Sequence, residues 1–552
     1  MSKLNTLLFL FLFLFKSNAQ FIHSIHTSIF PTFTEIKENG DIILVQSTTF
    51  DSIEILDYVF YPKTLIKPNG GRYRELYITQ IDTNLEIRDH LHFYGPDGIR
   101  IIGSYLFENE YYLLVESFDT IYYKDTFFTN HLNLISPTFL FKYDFNQKTL
   151  KLCKLIGGGF EFSNMYVSEK CVYIALQFVD TAVVDSFILA PLRSSIHQRD
   201  ILILKLEKET NSIAAITSVL GHEASYPIKI FSSKNGNIYL SLDTYGRFLK
   251  TGTDSIVYPR SGNGIGLALR FSENLKLTGY ITTSGLFTDI FVDANNSTNL
   301  SGIYFGNLFI NNTQYSSSLV NESAFVAKFD ENLYLSDYLE YEGNGSRRFK
   351  ILSNSIRNEY LLAGHFTKTI KDGSNSEVES KGAYDAFLYF IDTSNSFSKA
   401  LYFKGDSNEY IDNIMLLDNN DILVLGRTYS EKLVCGTDSL ISNWDSPLTR
   451  VNYFLYRINK VFFNHINEND IIENYLDLMI DHSTGTIKLN IKSSEILSIR
   501  IFNNDGQVFY HKGNLQLDQS LEFNSNLTSG VYFLTINMRN GNLFTKRIMM
   551  FK

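Results

Sequence analysis

A short strand pattern recurs along this chain at a nearly constant interval, and no other feature restricts its fold as strongly. The pattern consists of apolar residues, a long or usually basic residue in fourth place, another apolar residue and often Asp or Glu. Its seven copies are YITQID (77–82), FLFKYD (139–144), LILKLE (202–207), LALRFS (267–272), FVAKFD (325–330), FLYFID (387–392) and FLYRIN (454–459). Their fourth residues are 62, 63, 65, 58, 62 and 67 residues apart. The spacing predicts one structural unit repeated seven times.

A second pattern lies between the copies of the first and consists of a polar turn followed by a β-rich run. Its copies are NGDIILVQS (39–47), NEYYLLVES (109–117), KCVYIALQF (170–178), NGNIYLSLD (235–243), TNLSGIYFG (298–306), NEYLLAGHF (358–366) and NNDILVLGR (419–427). Glycine-bearing turns tend to fall between the two patterns, at Gly95, Gly157, Gly221, Gly285, Gly343 and Gly405. A unit of this length has room for four strands, which is typical of a propeller blade and favours an all-β fold.

The two patterns are out of phase at the ends of the repeat region. The region begins with a second pattern (39–47) and ends on a first pattern (454–459). The two ends would therefore complete one blade between them. We predict a seven-bladed β-propeller over residues 20–460, closed by a strand near 454–459 that pairs into the blade begun by residues 21–70. Such closure removes a free sheet edge.

These repeats resemble the bacterial seven-bladed propeller repeats whose consensus runs D-x-F-V-x-K-x-D, then Gly, then N-G-N-I-Y-x-x-G. AFVAKFDEN (324–332) and AYDAFLYFIDT (383–393) match it best. The resemblance extends over about 440 residues. It implies a fold and carries no specific activity.

The first 19 residues are typical of a secretory signal peptide. Lys3 provides the positive start, residues 7–15 are apolar, and a small-polar-small exit precedes a predicted cleavage between Ala19 and Gln20. Nine apolar residues would span roughly 14 Å as a helix, about half of a bilayer core. We therefore expect cleavage and no transmembrane span, and no cysteine follows the cut to serve as a lipid anchor.

Charge and cysteine content exclude several classes of protein. The net charge is −10 and no long basic run occurs, so a nucleic-acid partner is disfavoured. Three cysteines are too few for a disulfide framework. Cys153 and Cys171 could pair across neighbouring strands, or could be buried free thiols.

A third recurrence places Asp before Ser or Thr soon after the second pattern: FDS (50–52), FDT (118–120), VDT (179–181), TDS (253–255) and TDS (437–439). Such side chains cap turns by bonding to nearby backbone amides. Asp-Ser/Thr-apolar also resembles an O-glycosylation acceptor of some exported bacterial proteins. Both interpretations stay open.

The sequence shows no catalytic motif, and we predict no catalytic, cofactor-binding or metal-binding residue. Zinc-protease, nucleophile-elbow, phosphate-loop and calcium-loop signatures are all missing. His23 and His26, the triple glycine at 157–159, DANNSTN (293–299) and GNGSRR (343–348) are better explained as surface or turn residues. A pair of carboxylates of the glycosidase type stays open, because sequence cannot place two side chains at a given distance.

The seven-unit period ends near residue 470, after a linker expected at 461–470. Short alternating strands then follow: TIKLNIKS (486–493), ILSIRIFNN (496–504), QVFYHKG (507–513), LEFNS (521–525), GVYFLTINM (530–538) and LFTKRIMMF (543–551). The turns NDG (504–506) and RNG (539–541) join neighbouring strands. Residues 471–552 are therefore predicted to form a small β-sandwich of the immunoglobulin-like kind.

This segment resembles the type A C-terminal sorting domain of the type IX secretion system. The resemblance depends on residues 501–503 with Asp505 and Gly506, on Leu527, on residues 530–533, which include Gly530 and Tyr532, and on Lys546. The family usually opens on a Pro-Asn-Pro-like turn, whereas IIENYLDLM (471–479) contains no proline. The resemblance implies export through the periplasm and the outer membrane of a Gram-negative bacterium, with the translocon and a sortase as partners. Removal of the domain, with attachment of the cargo to an anionic lipopolysaccharide, is a common outcome in the family.

The sequence favours an exported binding or adhesion module with a glycan or protein ligand at the propeller loops. One alternative is an enzyme that cleaves polysaccharide or peptide at the propeller axis. A second alternative is a structural scaffold for other surface proteins. Whether the protein is anchored or released, and which ligand it takes, stay open.

Overall fold

The structure is a computed structural model of the 552-residue chain. It describes residues 19–550 except for the following gaps: 28–32, 38, 49–52, 56–57, 62–73, 83–85, 97, 118–119, 131–133, 135–136, 180, 192–198, 222–223, 246–247, 258–263, 294–295, 318–322, 342–346, 355–358, 372–376, 393–396, 418–420, 437, 442–450, 459–475, 482–485, 492–495, 504–507, 514–519, 525–529 and 539–542. The chain divides into two compact units, of which the first is Gln20–Ile458 and the second contains Asn459–Lys552. Every element of both units that the structure describes is a β-strand.

The first unit begins with β1 (Ala19–Thr27), β2 (Phe33–Ile36), β3 (Ile42–Thr48), β4 (Ile53–Ile55), β5 (Tyr58–Phe60), β6 (Glu75–Ile81), β7 (Ile87–Tyr94), β8 (Arg100–Phe107), β9 (Glu110–Glu116), β10 (Ile121–Tyr123), β11 (Thr126–Phe128), β12 (Thr138–Asp144), β13 (Thr149–Gly157), β14 (Phe160–Val167), β15 (Cys171–Phe178), β16 (Ala182–Val184), β17 (Phe187–Leu189), β18 (Asp200–Glu207), β19 (Ile213–Gly221), β20 (Ser225–Ser232) and β21 (Ile238–Thr244). It continues with β22 (Phe248–Thr251), β23 (Asp254–Val257), β24 (Ile265–Phe271), β25 (Leu277–Thr283), β26 (Leu286–Val292), β27 (Thr298–Tyr304), β28 (Asn307–Ile310), β29 (Thr313–Ser317), β30 (Ser323–Phe329), β31 (Leu335–Tyr341), β32 (Arg347–Asn354), β33 (Glu359–Phe366), β34 (Thr369–Lys371), β35 (Glu377–Glu379), β36 (Asp385–Asp392), β37 (Phe397–Lys404), β38 (Glu409–Leu416), β39 (Ile422–Thr428), β40 (Lys432–Cys435), β41 (Asp438–Ile441) and β42 (Val451–Ile458). The second unit contains β43 (Leu476–Asp481), β44 (Thr486–Ile491), β45 (Ile496–Asn503), β46 (Val508–Gly513), β47 (Ser520–Asn524), β48 (Gly530–Met538) and β49 (Leu543–Met550).

The described strands of the first unit form seven larger sheets and one two-stranded ribbon, β34–β35. In strand order, sheet 1 is β2-β3-β6-β7-β10-β11, sheet 2 is β8-β9-β12-β13-β16-β17, sheet 3 is β14-β15-β18-β19-β22-β23, sheet 4 is β20-β21-β24-β25-β28-β29, sheet 5 is β26-β27-β30-β31, sheet 6 is β32-β33-β36-β37-β40-β41 and sheet 7 is β38-β39-β42-β1-β4-β5. Sheet 7 therefore unites the two ends of the unit, because β1 lies between β42 and β4.

The two sequence patterns lie on neighbouring antiparallel strands in all seven of these sheets. The register is also shared: Lys142 lies opposite Tyr112 in sheet 2, and Arg270 lies opposite Tyr239 in sheet 4. These strands are covered on both faces, and for this reason they are nearly continuous apolar runs. The polar turn of the second pattern leads into the second strand of each sheet, which pairs with the third strand, as β3 pairs with β6 in sheet 1.

The first strands of the sheets (β2, β8, β14, β20, β26, β32 and β38) contact one another in sequence. Each contacts the next, and β38 in turn contacts β2, so the series returns to its beginning. Buried apolar clusters fill the spaces between successive sheets in the same way. One of them joins Leu425 and Leu455 of sheet 7 to Leu44 and Tyr77 of sheet 1.

Six of the sheets end in a two-stranded extension that comes from the following sheet. We call these extensions the outer hairpins; among the described strands they are β4–β5, β10–β11, β16–β17, β22–β23, β28–β29 and β40–β41. The chain leaves a sheet after its second strand, adds the hairpin to the preceding sheet, and returns as the third strand. Sheet 1 donates its hairpin to sheet 7, so this exchange also links the last sheet to the first.

Side chains of one sheet hold the backbone of its neighbour's first strand. A β-bulge in β8 leaves the carbonyl of Ile102 to accept a hydrogen bond from Ser163 Oγ at 2.6 Å. Asn164 Nδ2 donates to the carbonyl of Ile228, at the bulge of β20, at 2.9 Å. The Asp243 carboxylate accepts the Phe287 N–H at 2.9 Å, and burial raises the pKa of Asp243 to about 7. These bonds satisfy backbone groups that the bulges take out of the sheets.

The second unit contains two antiparallel sheets, β43-β44-β47 and β46-β45-β48-β49. Alternate residues are buried, including Ile487 and Leu489 in one sheet and Ile499 and Ile501 in the other. The six strands expected from residue 486 onward agree with the observed bounds to within two residues. In the part of the chain that the structure describes, no helix is long and apolar enough to cross a membrane.

Candidate functional site

The basic fourth position of the first pattern has a structural partner that the sequence did not reveal. In sheet 2, Lys142 Nζ lies 2.8 Å from Glu110 Oε1, at the start of the paired strand. In sheet 7, Arg457 Nε lies 2.8 Å from Asp421 Oδ2, and in sheet 1 the neutral Gln80 donates to Asp41 Oδ2 at 2.6 Å. In these three sheets the residue therefore fixes the turn that enters the second strand, whereas Lys205 and Arg270 contact Glu273 and Glu331 in the following sheet.

A cavity of about 470 Å³ lies at this end of sheets 1 and 2. Turns of both sheets and the adjoining ends of β6 and β7 form its wall. The lining residues are Lys37, Asn39, Asp41, Gln80, Asp82, Arg88, Asp89, Asn109, Phe145, Asn146 and Lys148. Its volume falls within the range of roughly 300–1,000 Å³ that is usual for small-molecule sites.

Protein donors already hold the three carboxylates of the cavity. Asp41 accepts from Gln80 and from Asn39 Nδ2, the latter at 3.1 Å. Asp82 accepts the Glu86 N–H at 2.8 Å and also contacts Arg88. Asp89 Oδ2 accepts the Tyr143 hydroxyl at 2.5 Å. The carboxylates are thus fixed in place as acceptors, and none is arranged as a proton donor to a ligand.

Lys37 is the buried cation of the cavity. The residue is 7% exposed, and its ammonium nitrogen lies 4.9 Å from the centre of the Phe145 ring. A tight turn holds it in place, because its N–H donates to the Asp41 carbonyl and its own carbonyl accepts the Gly40 N–H, both at 2.8 Å. Burial lowers the pKa of Lys37, and the Asp41 carboxylate opposes this shift. Among the described residues, none forms an ion pair with its ammonium group.

A strip of stacked rings runs across sheets 7 and 1, and we call it the aromatic strip. Its ring contacts are Phe60 on His90 at 3.8 Å, Tyr77 on His92 at 4.3 Å, His92 near Tyr94 at 5.5 Å, Tyr94 on Tyr122 at 5.3 Å and Tyr122 near Phe127 at 6.4 Å. One end is half-buried, and there burial and the nearby His92 lower the pKa of His90 to about 4. The other end is open, with Phe127 65% exposed. Sequence reasoning missed this strip, because its rings come from five separate strands.

A pair of buried carboxyl groups lies between sheets 6 and 7. Glu409 Oε1 accepts hydrogen bonds from Ser430 Oγ at 2.5 Å and Thr428 Oγ1 at 3.1 Å. Asp385 accepts the backbone N–H groups of Lys381 at 2.7 Å and Gly405 at 3.2 Å. Burial first, and the neighbouring Asp385 second, raise the pKa of Glu409 to about 8. Glu409 is therefore protonated near neutral pH.

This pair makes stability depend on pH. The ordinary pKa of Glu409 is 4.5 and the folded value is about 8, so the folded state binds the proton more tightly than the unfolded state. Its stabilising contribution is complete below pH 4.5 and is lost as the pH rises through about 8. Glu409→Gln preserves the hydrogen bonds of the protonated acid, and we expect it to flatten the melting temperature between pH 5 and 9. The exposed Glu431→Gln is the matched control, and an unchanged pH dependence in Glu409→Gln would contradict this assignment.

The structure places the other sequence-predicted residues as follows. Ala19 and Gln20 are the first two residues of β1, whereas residues 1–18 lie outside the described residues. Asp505, Gly506 and Leu527 also lie outside them. Gly530 and Tyr532 lie on β48 and Lys546 on β49, where Tyr532 is opposite Ile548 and Lys546 is opposite Leu534.

Several smaller expectations can also be placed. Cys153 lies on β13 and Cys171 on β15, in different sheets, and both are free thiols. Gly157 ends β13 and Gly158 has a φ of +130°, in agreement with a turn between strands. Asp293 caps its own turn by accepting the Ser297 N–H at 2.9 Å. Across the residues that the structure describes, no group of three or more His, Cys, Asp or Glu could hold a metal ion.

The Asp-Ser/Thr sequences do not share one structural position. Thr120 and Thr181 directly precede the first strand of an outer hairpin, whereas Asp254 and Asp438 begin the second strand. FDS (50–52) lies outside the described residues. Thr120 is buried, whereas Thr181, Ser255 and Ser439 are exposed. A modifying enzyme could therefore reach the last three, and Thr120 is better explained as a packed turn residue.

Comparison with known proteins identifies the C-terminal segment. Residues 483–550 match the family model described as the secretion system C-terminal sorting domain. This is the sorting domain of type IX secretion, so the protein is secreted or displayed at the cell surface, and the type IX machinery handles it. No curated protein matches the chain. Among solved structures, a member of the DUF4221 family from Bacteroides vulgatus is 13% identical, covers 51% of this chain and 90% of its own, and has a TM-score of 0.24, which supports no functional argument.

Proposed function

We propose that the first unit is a seven-bladed β-propeller that acts as an exported binding module. Seven sheets with a shared four-strand layout support the propeller, as does the cyclic series of contacts among their first strands. The position of β1 between β42 and β4 fits closure by the two ends of residues 20–460. Cleavage of a signal peptide after Ala19 would leave all of β1 but its first residue.

The proposal includes a route of export. The signal peptide takes the chain to the periplasm, and residues 471–552, folded as a small sandwich behind a linker at 461–470, present the sorting signal to the translocon. A sortase then acts on the exported chain. The family match over residues 483–550 supports this route, and the paired strands β48 and β49 would carry Gly530, Tyr532 and Lys546 to the machinery.

Binding is favoured over catalysis by the state of the cavity between sheets 1 and 2. Its carboxylates already accept hydrogen bonds from Gln80, Arg88 and Tyr143, which suits fixed recognition of a ligand. A general acid would instead need a protonated carboxyl group directed at the scissile bond. A polysaccharide- or peptide-cleaving enzyme and a structural scaffold remain the alternatives.

An array of polysaccharides and extracellular proteins, probed with the purified full chain, tests the binding function. We expect saturable binding to at least one class of immobilised molecule. The bound polysaccharide or protein should keep its original chain length, because a binding module does not cleave it. Turnover of a polysaccharide would favour the enzyme instead. Failure to bind any member of the array, combined with stoichiometric co-purification of another surface protein, would favour the scaffold.

A further inference from the structure

We propose that the cavity between sheets 1 and 2 binds the hydroxyl groups of an uncharged oligosaccharide, with Lys37 as the residue that recognises them. This inference rests on the proposed binding function and specifies its ligand.

The lining combines groups that only accept hydrogen bonds with groups that only donate them. The acceptors are the carboxylates of Asp41, Asp82 and Asp89, and the donors are the cationic groups of Lys37, Arg88 and Lys148. Amide side chains, which do both, lie among them. A hydroxyl group donates and accepts at once, so a molecule rich in hydroxyls can satisfy both sets.

The same lining disfavours a strongly charged ligand. Three cationic and three anionic side chains contribute to the wall, so their formal charges cancel. An anionic ligand would approach Asp41, Asp82 and Asp89 as closely as it approaches the cations, and a cationic ligand would meet the reverse problem. A neutral ligand avoids both repulsions.

Much of the site is organised before any ligand arrives. The Asn39 side chain donates to the Asp41 carboxylate and accepts the Asp41 N–H, both at 3.1 Å. Gln80 and Tyr143 also donate hydrogen bonds to two of the carboxylates, Asp41 and Asp89. Pre-organised polar groups lose little conformational entropy on binding, which suits a ligand recognised through several individually weak hydrogen bonds.

Lys37 supplies the observation that points to a ligand. A lysine that is 7% exposed has lost most of its hydration, and no ion pair from the described residues replaces it. Burial lowers its pKa, so the charged form costs stability in the ligand-free protein. A group that destabilises the fold is commonly kept for function. Oxygen atoms of a bound sugar would supply the missing acceptors.

Titration calorimetry with the full chain tests the proposal, using cellohexaose, xylohexaose, mannohexaose and maltohexaose as neutral probes and hexagalacturonate as the anionic one. We expect at least one neutral hexasaccharide to bind more tightly than hexagalacturonate. Lys37→Met should weaken that binding about tenfold, the usual effect of losing a hydrogen bond to a charged group. The melting temperature of Lys37→Met at pH 7.5 should rise, because the folded state no longer buries a charge.

Two further variants make the test specific. Lys250→Met, on an exposed part of β22, is the matched lysine control and should leave both affinity and melting temperature unchanged. Phe127→Ala removes the open end of the aromatic strip and should leave affinity unchanged. Loss of binding in Phe127→Ala but not in Lys37→Met would overturn the proposal, as would tighter binding of hexagalacturonate or failure of all four neutral probes.

The outcomes separate this inference from the broader binding function. If the full chain binds a protein or an acidic glycan on the array and Lys37→Met binds it equally well, the binding module stands and the cavity assignment fails. If neither the array nor the hexasaccharides show saturable binding, both fail.

Discussion

Deleting residues 20–27 is expected to abolish cooperative unfolding of the first unit. These residues form nearly all of β1, which lies between β42 and β4 in sheet 7. Without β1, the backbone groups of β42 lose their partner on one side, and the β4–β5 hairpin loses the strand that joins it to the sheet. Among the described residues, packed side chains would then connect sheets 7 and 1. Calorimetry should show a broad, low-temperature transition or aggregation.

A rearranged chain provides the decisive control for this deletion. If residues 20–27 are removed from the start and attached after Ile458 through a short turn, β1 can follow β42 as an ordinary hairpin partner. We expect this chain to regain a sharp transition within a few degrees of the unchanged protein. A glycine-serine segment of equal length attached at the same place should not restore it. A sharp, unshifted transition in the simple deletion would contradict closure of the unit by its two ends.

Removing residues 543–552 is expected to stop export while the first unit remains folded. These residues include β49, which pairs along β48 from Gly530 to Asn537. Without β49, β48 becomes an edge strand, and Lys546 is lost from the candidate sorting signal. In a host with type IX secretion, the truncated chain should accumulate in the periplasm. Immunoblots of the culture medium, the cell surface and the periplasm measure this distribution.

The export result needs a test that the truncation has not simply unfolded the whole chain. The high-temperature transition of the first unit should have the same midpoint in the truncated and unchanged proteins. Lys37→Met, which changes only the first unit, should be exported normally and serves as the matched substitution control. Normal delivery of the truncated chain to the surface would show that β49 is not part of the signal.

The strands and many of their bounds could be predicted because burial on both faces leaves a strong local pattern. Residues 111–115 and 172–176 are continuous apolar runs, and each follows a polar turn. The bounds in the second unit were also predictable, since its strands alternate apolar and polar residues between turn signals. In each case the information lies within a few neighbouring residues.

The cavity could not be predicted because its residues meet only through the pairing of strands distant in sequence. Asp41 and Gln80 are 39 residues apart, and Tyr143 reaches Asp89 across 54 residues. The sequence showed that the fourth position of the first pattern is often basic, but not which acid it would contact. Donation of the outer hairpins between sheets was also hidden, because strands of three to five residues leave little periodic signal.

Sheet 5 differs from its neighbours in a way that affects how this molecule could come apart. Its last strand, β31, receives no outer hairpin among the described strands, since β34–β35 stands as a separate ribbon. Each of the other six sheets carries an outer hairpin from the following sheet, and this hairpin covers its last strand. Local unfolding that begins at β31 would not have to detach an outer hairpin. We therefore expect thermal unfolding and proteolysis to begin at this strand. For a protein that works outside the cell, unfolding would then start at one particular sheet rather than with equal ease at any of the seven.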